Sequence, residues 1–460
     1  MSFHKYDVYK NSNIEWLGEV PEHWNILPMK YLAILNPNKS NFQGDQTNLC
    51  SFVPMEKLKT GCLILDKKRA ISDVYSGYTY FENGDILQAK VTPCFENKNI
   101  AVANNLTNGI GFGSSEINVF RASRFIYNYF LYYRLQEKNF MDFCTASMTG
   151  VAGLKRVPTD TINEFSIALP EKREQIQIAQ FLDHETTRID ALIAEQQKLI
   201  ELLKEKRQAV ISHAVTKGLN RGVPMKDSGI EWLGEVPKHW LIVALKHLVS
   251  QPIIDGPHES PQKRDDGVPF ISAEAIGKGF IDFDKKWGYI SEDDHEKYSQ
   301  RYRPQRNDIL LVKLGATTGV PAIVETDVEF NVWVPLAAIR LKLHYQPRFI
   351  FYVLRSNNLR VAYELNWTYG TQQTLGLGTI SNLRMPLPPS YEQQEIVEYL
   401  GSVLPRFDSL ESEAERAIKL LQERRSAIIS AAVTGKIDVR NWQAPASTQT
   451  ESIMEVATNG

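Results

Sequence analysis

The sequence is poor in cysteine, balanced in charge and free of long apolar runs, and each shortage excludes a class of protein. Its 460 residues contain four cysteines and no C-x-x-C pair, so neither a disulfide framework nor a zinc site is indicated. No stretch approaches the roughly 18 uninterrupted apolar residues of a membrane-spanning helix. The start, MSFHKYDVYK, lacks the apolar core of a signal peptide. We therefore expect a cytoplasmic protein with no membrane partner.

The charge balance is unusual for a protein that binds nucleic acid. The chain has 52 Lys and Arg against 54 Asp and Glu, a formal net charge of −2. Residues 25–170 contain 15 basic and 12 acidic residues, and residues 241–388 contain 17 and 16. Since neutralisation of phosphates dominates nucleic-acid affinity, this composition predicts weak, salt-sensitive DNA binding by the isolated chain. The apolar content of 43% predicts two or three domains with proper cores.

An internal duplication organises the chain. Residues 12–24 return as residues 228–240 with two differences in thirteen positions. A second pair confirms the repeat: Leu-Pro followed by Glu-Gln-x-x-Ile occupies residues 169–178 and again residues 387–396. Subtraction of these positions gives a period of 216 to 218 residues. That period is far too long for a solenoid and suits two copies of one unit related by a pseudo-two-fold axis.

The segment after each Leu-Pro pair has the pattern of a long amphipathic helix. Apolar residues recur at three-to-four spacing, with charged residues between them. These residues are Ile189, Leu192, Leu199, Leu203 and Val210 in the first copy, and Phe407, Leu410, Ala414, Leu421 and Ile428 in the second. A helix over residues 186–216 would be roughly 45 Å long. Only an equally long element can cover its apolar stripe, so we predict that the two helices pack as an antiparallel coiled coil.

Between these blocks the two copies diverge into β-rich stretches with Gly, Pro and Asn at the breaks. A weak echo persists where Gly-Asp-Ile-Leu at residues 84–87 matches Asn-Asp-Ile-Leu at residues 307–310. Each stretch also has one aromatic-rich helical run, at 125–135 and 349–354. Such a run could form a base-stacking platform, but core packing is the better interpretation at this spacing.

These observations predict an α+β fold of two tandem pseudosymmetric repeats, each a β-rich domain followed by a long helix. The last segment is polar and without periodicity, and we expect disorder there. The predicted boundaries are 1–24 for the N-terminal repeated segment, 25–168 for the first variable domain, 169–217 for the first helix, 218–240 for the second copy of the repeated segment, 241–386 for the second variable domain, 387–436 for the second helix and 437–460 for the tail.

In these features the chain resembles the specificity (S) subunits of type I restriction-modification systems. The resemblance covers nearly the whole length. It depends on the twin Ile-Glu-Trp-Leu-Gly-Glu-Val-Pro-x-His-Trp blocks, on the twin helix starts, and on Asp255-Gly256-Pro257-His258 with Gly267-Val268-Pro269-Phe270-Ile271 in the second variable domain. Two duplicated blocks with variable domains between them make a specific signal.

The resemblance implies a non-catalytic subunit with two target recognition domains, each reading one half of an interrupted site in double-stranded DNA. It implies methyltransferase (M) subunits that use S-adenosylmethionine, and ATP-driven restriction (R) subunits, which also need Mg. No cofactor is expected on this chain. The two long helices would act as a ruler, with half-sites roughly 10 bp apart from centre to centre.

Polar loops that contain glycine are the candidates for DNA contact, because they bring backbone close to phosphate and free side chains for base edges. For any one of these residues, an ordinary solvated loop is an equally good interpretation. The candidates are Lys90, Thr92, Ser114, Thr149, Gly150, Lys155 and Arg156 in the first domain, and His258, Lys313, Thr317, Thr318, Thr371, Gln372 and Gln373 in the second.

Two other kinds of protein remain as alternatives. A stand-alone DNA enzyme requires a cofactor or metal site, yet the glycine-rich run at 315–320 has no Gly-Lys-Ser/Thr ending. The acidic run at 292–296 is more typical of a solvated surface turn than of a cation site. A coiled-coil assembly scaffold or anti-restriction factor without its own DNA readout is the second alternative, although a scaffold has no obvious need for two different domains.

Overall fold

The structure, a computed structural model, describes residues 4–42, 44–151, 153–277, 279–369 and 372–445. The chain divides into two compact units. The first unit contains residues 1–196 and 416–460, and the second contains residues 197–415. Each unit therefore combines one variable region with part of both long helices.

The first unit contains short strands that alternate with turns. These strands are β1 Tyr9–Asn11, β2 Glu19–Pro21, β3 Asn25–Pro28, β4 Ala33–Leu35, β5 Leu49–Val53, β6 Leu58–Lys59, β7 Cys62–Leu63, β8 Lys68–Ala70, β9 Thr79–Glu82, β10 Ile86–Ala89, β11 Ile100–Val102, β12 Ile110–Gly113, β13 Ile117–Ala122, β14 Thr149–Val151, β15 Leu154–Arg156 and β16 Ser166–Leu169.

Two four-stranded sheets form the variable region of the first unit. One has the order β11-β10-β13-β4 and the other β8-β5-β12-β9. In the first sheet the central strand β10 pairs Ile86 with Phe120 on one side and with Val102 on the other. All four residues of β10 are buried, as expected for a strand that is covered on both faces.

The second unit repeats this design with its own strands. They are β17 Met225–Asp227, β18 Glu235–Pro237, β19 Leu241–Ala244, β20 Ile254–Asp255, β21 Val268–Ile271, β22 Ile276–Gly277, β23 Phe280–Ile281, β24 Gly288–Ile290, β25 Ile309–Val312, β26 Pro321–Ile323, β27 Asn331–Val332, β28 Leu336–Ile339, β29 Thr368–Tyr369, β30 Gln373–Thr374 and β31 Arg384–Leu387.

The sheet around β25 corresponds to the sheet around β10. Its order is β20-β28-β25-β26, and Leu310 of β25 pairs with Ala338 on one side and Ala322 on the other. A three-stranded sheet of order β24-β21-β27 lies in the same unit. The echo of Asp-Ile-Leu seen in the sequence thus marks the central strand in both units.

Each variable region begins and ends on a pair of strands. In the first unit β3 pairs with β16, so that Asn25 lies opposite Leu169. In the second unit β19 pairs with β31, so that Leu241 lies opposite Leu387. Because the chain enters and leaves through one antiparallel pair, the region between can diverge without disturbing the helices that follow.

The helices fall into a short and a long class. They are α1 Ile71–Val74, α2 Asn128–Arg134, α3 Lys138–Ala146, α4 Thr159–Glu164, α5 Lys172–Lys217, α6 Glu292–Ser299, α7 Pro347–Leu354, α8 Asn357–Asn366, α9 Leu377–Asn382 and α10 Ser390–Val433. Across the described ranges, none of the helices has the length and apolar character needed to cross a membrane.

The aromatic runs include α2 and α7, and most of their rings belong to the cores. Phe130 and Phe349 are fully buried, and Tyr133 is only 3% exposed, whereas Phe125 before α2 is 54% exposed. A ring inside a core cannot stack on a base, so the core-packing interpretation holds for the buried rings. One difference from the sequence is that each run is followed by a second helix, α3 or α8, where we expected a single helix.

The long helices are antiparallel within the first unit. Near the start of α5, Gln177 donates a hydrogen bond to the Trp442 carbonyl at 2.6 Å, and further along, Asp190 accepts from Arg425 Nε at 2.8 Å. The partner's number falls as the number along α5 rises. Ile189 and Ile429 belong to the same buried cluster, so this part of the predicted apolar stripe is covered, whereas Leu192 in the same stripe is 38% exposed.

The second unit contains the matching pair of helix segments. Arg207 Nη1 lies 2.6 Å from Asp408 Oδ1, and Leu203 and Phe407 lie in one core cluster. Asp408 and Arg425 follow Asp190 and Arg207 by 218 positions. The duplication therefore produces the same Asp–Arg pair once in each unit, with the roles of the helices exchanged.

In each unit, one carboxylate at the start of the long helix binds side chains of the repeated N-terminal block. Glu174, at the start of α5, accepts hydrogen bonds from Tyr6 Oη at 2.6 Å and Trp24 Nε1 at 3.2 Å, and lies 2.8 Å from His23 Nε2. Trp24 is fully buried. These contacts attach the repeated block to the beginning of the helix, which is why both blocks keep His-Trp and both helices keep the glutamate. The following glutamine, Gln175 or Gln393, donates to the carbonyl of Pro170 or Pro388 at 2.9 Å.

The second unit has the same attachment, with the exposed Tyr391 in place of the buried Tyr6: Tyr391 Oη donates to Glu392 at 3.1 Å. Glu392 accepts from Trp240 Nε1 at 2.8 Å and lies 2.5 Å from His239 Nε2.

The start of the predicted tail packs within the first unit. Val439 is 2% exposed, and the Trp442 ring meets Phe181 edge to face at 5.4 Å between ring centroids. The apolar residues of Ile-Asp-Val-Arg-Asn-Trp provide enough contact to order this segment, so ordered structure continues six residues past the predicted boundary at 437. The remainder of the tail prediction, from residue 446, lies outside the described residues.

Candidate nucleic-acid interface

The first candidate surface begins where the central strand β10 ends. Lys90 follows β10, and its backbone is held on both sides: its N–H donates to the Glu116 carbonyl at 3.0 Å, and its carbonyl accepts from Val157 at 3.0 Å. A chain that leaves a buried strand between two such neighbours has a fixed direction. Lys90 therefore lies between the turn before β13 and the segment after β15.

The β14–β15 hairpin docks beside this lysine. Thr92 Oγ1 donates to the Gly153 carbonyl at 2.8 Å and accepts from the Lys155 N–H at 3.0 Å. Both strands of the hairpin are exposed over their whole length. Gly150 has φ of +152°, and a Cβ there would lie 2.1 Å from the Leu154 carbonyl oxygen. Only glycine fits this close strand crossing.

A carboxylate joins the hairpin to the turn. Arg156 Nε and Nη2 bind the two oxygens of Glu116 at 2.8 Å each, and this hydrogen bonding lowers the pKa of the Glu116 carboxyl. Ser114 Oγ accepts from the Glu116 N–H at 3.2 Å. All seven candidates of the first domain consequently lie on one connected surface, which we call the first-domain face: Lys90, Thr92, Ser114, Thr149, Gly150, Lys155 and Arg156.

The second domain builds its surface at the same place in the fold. Lys313 follows the central strand β25 as Lys90 follows β10, and its carbonyl accepts from Leu375 at 2.8 Å. The Gly315 N–H donates to the Gln373 carbonyl at 3.1 Å. The loop after the central strand and the short β29–β30 pair are thus held together, as the loop and hairpin are in the first domain.

The side chains here differ in how much they present to a ligand. Thr317 and Gln372 are exposed and Gln373 is half-buried. Thr318 is buried, and its hydroxyl donates to the Gly315 carbonyl at 2.7 Å, which favours a structural role over DNA contact. The candidate Thr371 lies outside the described residues.

Asp255 is the centre of a charged cluster in the second domain. Its carboxylate, 4% exposed, lies 2.7 Å from Arg301 Nη2, 3.1 Å from His258 Nε2 and 3.3 Å from Lys313 Nζ. Arg301 and His258 remain 52% and 67% exposed, whereas Lys313 is 11% exposed. Lys313 thus lies on the buried side of the cluster, and Arg301 and His258 form its exposed rim.

A cavity of about 500 Å³ opens beside this cluster. Its walls include Asp255, His258, Tyr298, Arg301 and Asn331. We call the surface formed by this cavity, the cluster and the loop after β25 the second-domain face.

Sequence reasoning found His258 and Lys313 but missed Arg301 and the part played by Asp255. The signal was present as the basic run Arg-Tyr-Arg-Pro-Gln-Arg at 301–306. Only the fold brings that run against β20, which is distant in sequence. Asp255 had been noted as part of a motif without a physical role.

In each domain an aspartate directly before the central strand is bound by an arginine. Asp85 receives a bidentate bond from Arg121 at 2.9 and 2.7 Å. Asp308 receives one from Arg340, with Nε at 2.8 Å and Nη2 at 2.7 Å. Both aspartates are 2% exposed. Hydrogen bonding to Asp85 raises the pKa of Arg121 further above its ordinary value.

The acidic run at 292–296 forms the helix α6. Ser291 caps it by accepting from the Asp294 N–H at 3.1 Å, and His295, 4% exposed, lies with Nδ1 2.6 Å from Asn331 Oδ1. A search of the described residues finds no group of three or more His, Cys, Asp or Glu that could hold a metal ion. The run is accounted for by helix capping and a buried histidine.

The family of the chain follows from a sequence comparison. The family described as "Type I restriction modification DNA specificity domain" matches residues 74–202 and 254–420, which is more than half of the chain. The two matched segments fall on the two repeats. The chain therefore belongs to this family.

Individual relatives agree with this assignment. The specificity subunits of the type I restriction enzymes EcoAI and EcoEI of Escherichia coli are 38% and 34% identical, over 164 and 165 residues. Each match covers 35% of this chain and 27% of the relative, so the match spans about a quarter of those proteins. The MjaVIII specificity subunit of Methanocaldococcus jannaschii is 24% identical over 333 residues, with 71% of this chain and 74% of the relative covered.

Solved structures share the fold. A chain from a structure concerned with complex assembly and conformational transition of the type I R-M system is similar with a TM-score of 0.69 and 17% identity, covering 90% of this chain and 98% of that one. The HsdS subunit from Thermoanaerobacter tengcongensis gives 0.50 and 18%, over 91% and 98%. The predicted fold of two repeats, each with a β-rich domain and a long helix, is confirmed.

Proposed function

We propose that this chain is the non-catalytic DNA-specificity subunit of a type I restriction-modification complex. In this proposal each variable domain reads one half of an interrupted site in double-stranded DNA. Methyltransferase and restriction subunits bind the chain and perform the chemistry in the cytoplasm, with S-adenosylmethionine, ATP and Mg as their cofactors.

One observation carries the proposal. Lys90 and Lys313 leave equivalent central strands, and the loop and hairpin beside each lysine present different side chains. The two domains share the central strand, and they differ in the side chains of the loop and hairpin that follow it. Two different surfaces on one frame are what a reader of two different half-sites requires, because base identity is read by side chains and not by the fold that supports them.

Charge supports a reader that works within a complex. Arg156 is paired with Glu116, and Arg301 with Asp255, so part of the positive charge on each face is neutralised within the chain. The phosphate contacts that dominate affinity would then come largely from partner subunits.

The decisive experiment is to co-express the chain with the methyltransferase subunit of its system and to map methylated adenines by single-molecule sequencing. Methylation at one interrupted motif, seen only when this chain is present, is the expected result. A motif that does not depend on this chain would favour an assembly scaffold or anti-restriction factor without its own DNA readout.

A further inference from the structure

The strongest feature that the proposed function leaves unexplained is the buried carboxylate of Asp255. A carboxylate that is 4% exposed cannot hydrogen-bond freely to a base. It is nevertheless in contact with three cationic or titratable side chains from three separate segments: His258, Arg301 and Lys313. A buried charge persists only when it is paired and hydrogen-bonded, so its surroundings specify this arrangement.

The three partners reach Asp255 from different parts of the second domain. His258 follows it by three residues, Arg301 follows helix α6, and Lys313 follows the central strand β25. Gly256 allows the first approach, since a Cβ there would lie 1.9 Å from the Val332 carbonyl oxygen. The backbone at Gly256 is therefore packed against the end of β27.

The carboxylate of Asp255 offsets part of the positive charge of Arg301 and Lys313. Arg301 and Lys313 carry two positive charges against one from Asp255, so the cluster keeps a net positive charge that suits a phosphate or an acceptor on a base edge. Without the carboxylate the two cations would repel each other, and Lys313, 11% exposed, would lose its counter-ion. Arg301 and His258 would then lose their common anchor.

We propose that Asp255 is the positioning residue of the second-domain face: it holds Arg301 and His258 at the rim of the cavity, and base preference at one half-site depends on it. This inference rests on the proposed function and deepens it. It assigns base contact to Arg301 and His258, and to Asp255 only an effect through them.

The test uses the full chain with its methyltransferase partner and three substitutions. Asp255→Asn keeps the shape of the side chain and removes its charge. Arg301→Gln removes the charge of a rim residue that is 52% exposed and keeps an amide N–H donor. Asp266→Asn is the matched control, because this exposed acid lies in the same domain and outside the cluster.

We expect both cluster variants to reduce methylation at cognate sites about tenfold, as the loss of a good base contact would. The surviving sites should show relaxed base preference in one half only, and that half should be the same for both variants. Asp266→Asn should leave the motif unchanged. Thermal unfolding of both cluster variants should be measured beside these assays, so that a loss of folded protein is distinguished from a loss of base preference.

The double variant Asp255→Asn with Lys313→Met separates positioning from simple destabilisation. If Asp255→Asn fails because Lys313 is left buried without a counter-ion, the double variant should recover methylation, and the positioning role would be overturned; if Asp255 positions Arg301 and His258, the double variant should stay as defective as Asp255→Asn alone. Equal loss of both half-sites, or an unchanged motif in Arg301→Gln, would overturn the inference while the proposed function stood. If the unmodified chain directed no interrupted motif, the proposed function would fail and this inference with it.

Discussion

Both variable domains present charged side chains at the end of a central strand, but they arrange these side chains differently. In the first domain Glu116 and Arg156 form a bidentate pair on a half-exposed surface, with the arginine 48% exposed. In the second domain a nearly buried Asp255 gathers Arg301, Lys313 and His258 beside a cavity. The first-domain face is a projecting hairpin, and the second-domain face is a recess.

The difference shows which part of each domain is free to vary. The buried pair Asp85–Arg121 and its counterpart Asp308–Arg340 have the same geometry, because they support the strand that both domains need. The carboxylate on the face comes from the turn before β13 in one domain and from β20 in the other. The residues that support the central strand are therefore shared by the two domains, whereas the charged residues on the two faces differ.

The largest expected effect comes from replacement of a whole domain. If residues 241–386 are exchanged for the equivalent region of a relative with a different target, one half of the methylated motif should change completely and the other half should stay. Exchange of residues 25–168 should change the opposite half. Methylation mapping of both chimaeras tests this prediction. A change in both halves of the motif from a single exchange would contradict the assignment of one half-site to each domain.

The next effect concerns the attachment of the repeated block. Glu174→Ala removes the acceptor of three side chains, two of them buried, and should cost about 3 kcal/mol of stability. Glu392→Ala removes the acceptor of His239, Trp240 and the exposed Tyr391, and should cost about 1.5 kcal/mol. Calorimetry of the two variants gives the comparison. Equal losses would show that the buried Tyr6 adds no more to the first unit than the exposed Tyr391 adds to the second.

A smaller effect is expected from the exposed β14–β15 hairpin of the first domain. Lys155 is exposed on β15, so Lys155→Met should weaken DNA binding and lower the slope of log affinity against log salt by about one unit. Lys238→Met, at an exposed site in the repeated block, is the control and should leave the slope unchanged. Titrations of the subunit at several salt concentrations measure both slopes. The unmodified subunit alone should bind weakly, and nanomolar binding without partners would contradict the charge argument.

The smallest effect tests the equivalence of the helix segments. Arg207→Ala and Arg425→Ala each break one Asp–Arg pair whose aspartate is more than half exposed. Each should cost about 0.5 kcal/mol, as for exposed ion pairs in general. Denaturant titration should give the same loss for both. A loss several times larger for one would show that the two units do not use their helices alike.

Much of the frame could be predicted because it is repeated and periodic. The blocks at 12–24 and 228–240 mark the units, and the three-to-four spacing marks α5 and α10. Asp85 and Asp308 were visible as an echo within one chain. Each of these signals is local, or is a comparison of the chain with itself, and so needs no knowledge of which segments meet.

The candidate site could be predicted only in part. Glycine-containing loops indicated where the chain turns, and the seven first-domain candidates do lie together. Burial of Thr318, by contrast, depends on β30 reaching the loop after β25, and the pairing of Arg301 with Asp255 joins residues 46 positions apart. No periodic pattern records a contact of that kind.

By itself the sequence determined that this chain is a duplicated unit with two long amphipathic helices and two diverged domains, since repetition and apolar spacing are written directly in the order of residues. Only the tertiary structure decided which charges meet at the end of each central strand. That choice depends on desolvation and pairing of side chains from distant segments, and a carboxylate such as Asp255 acquires its partners only when the chain has folded around it.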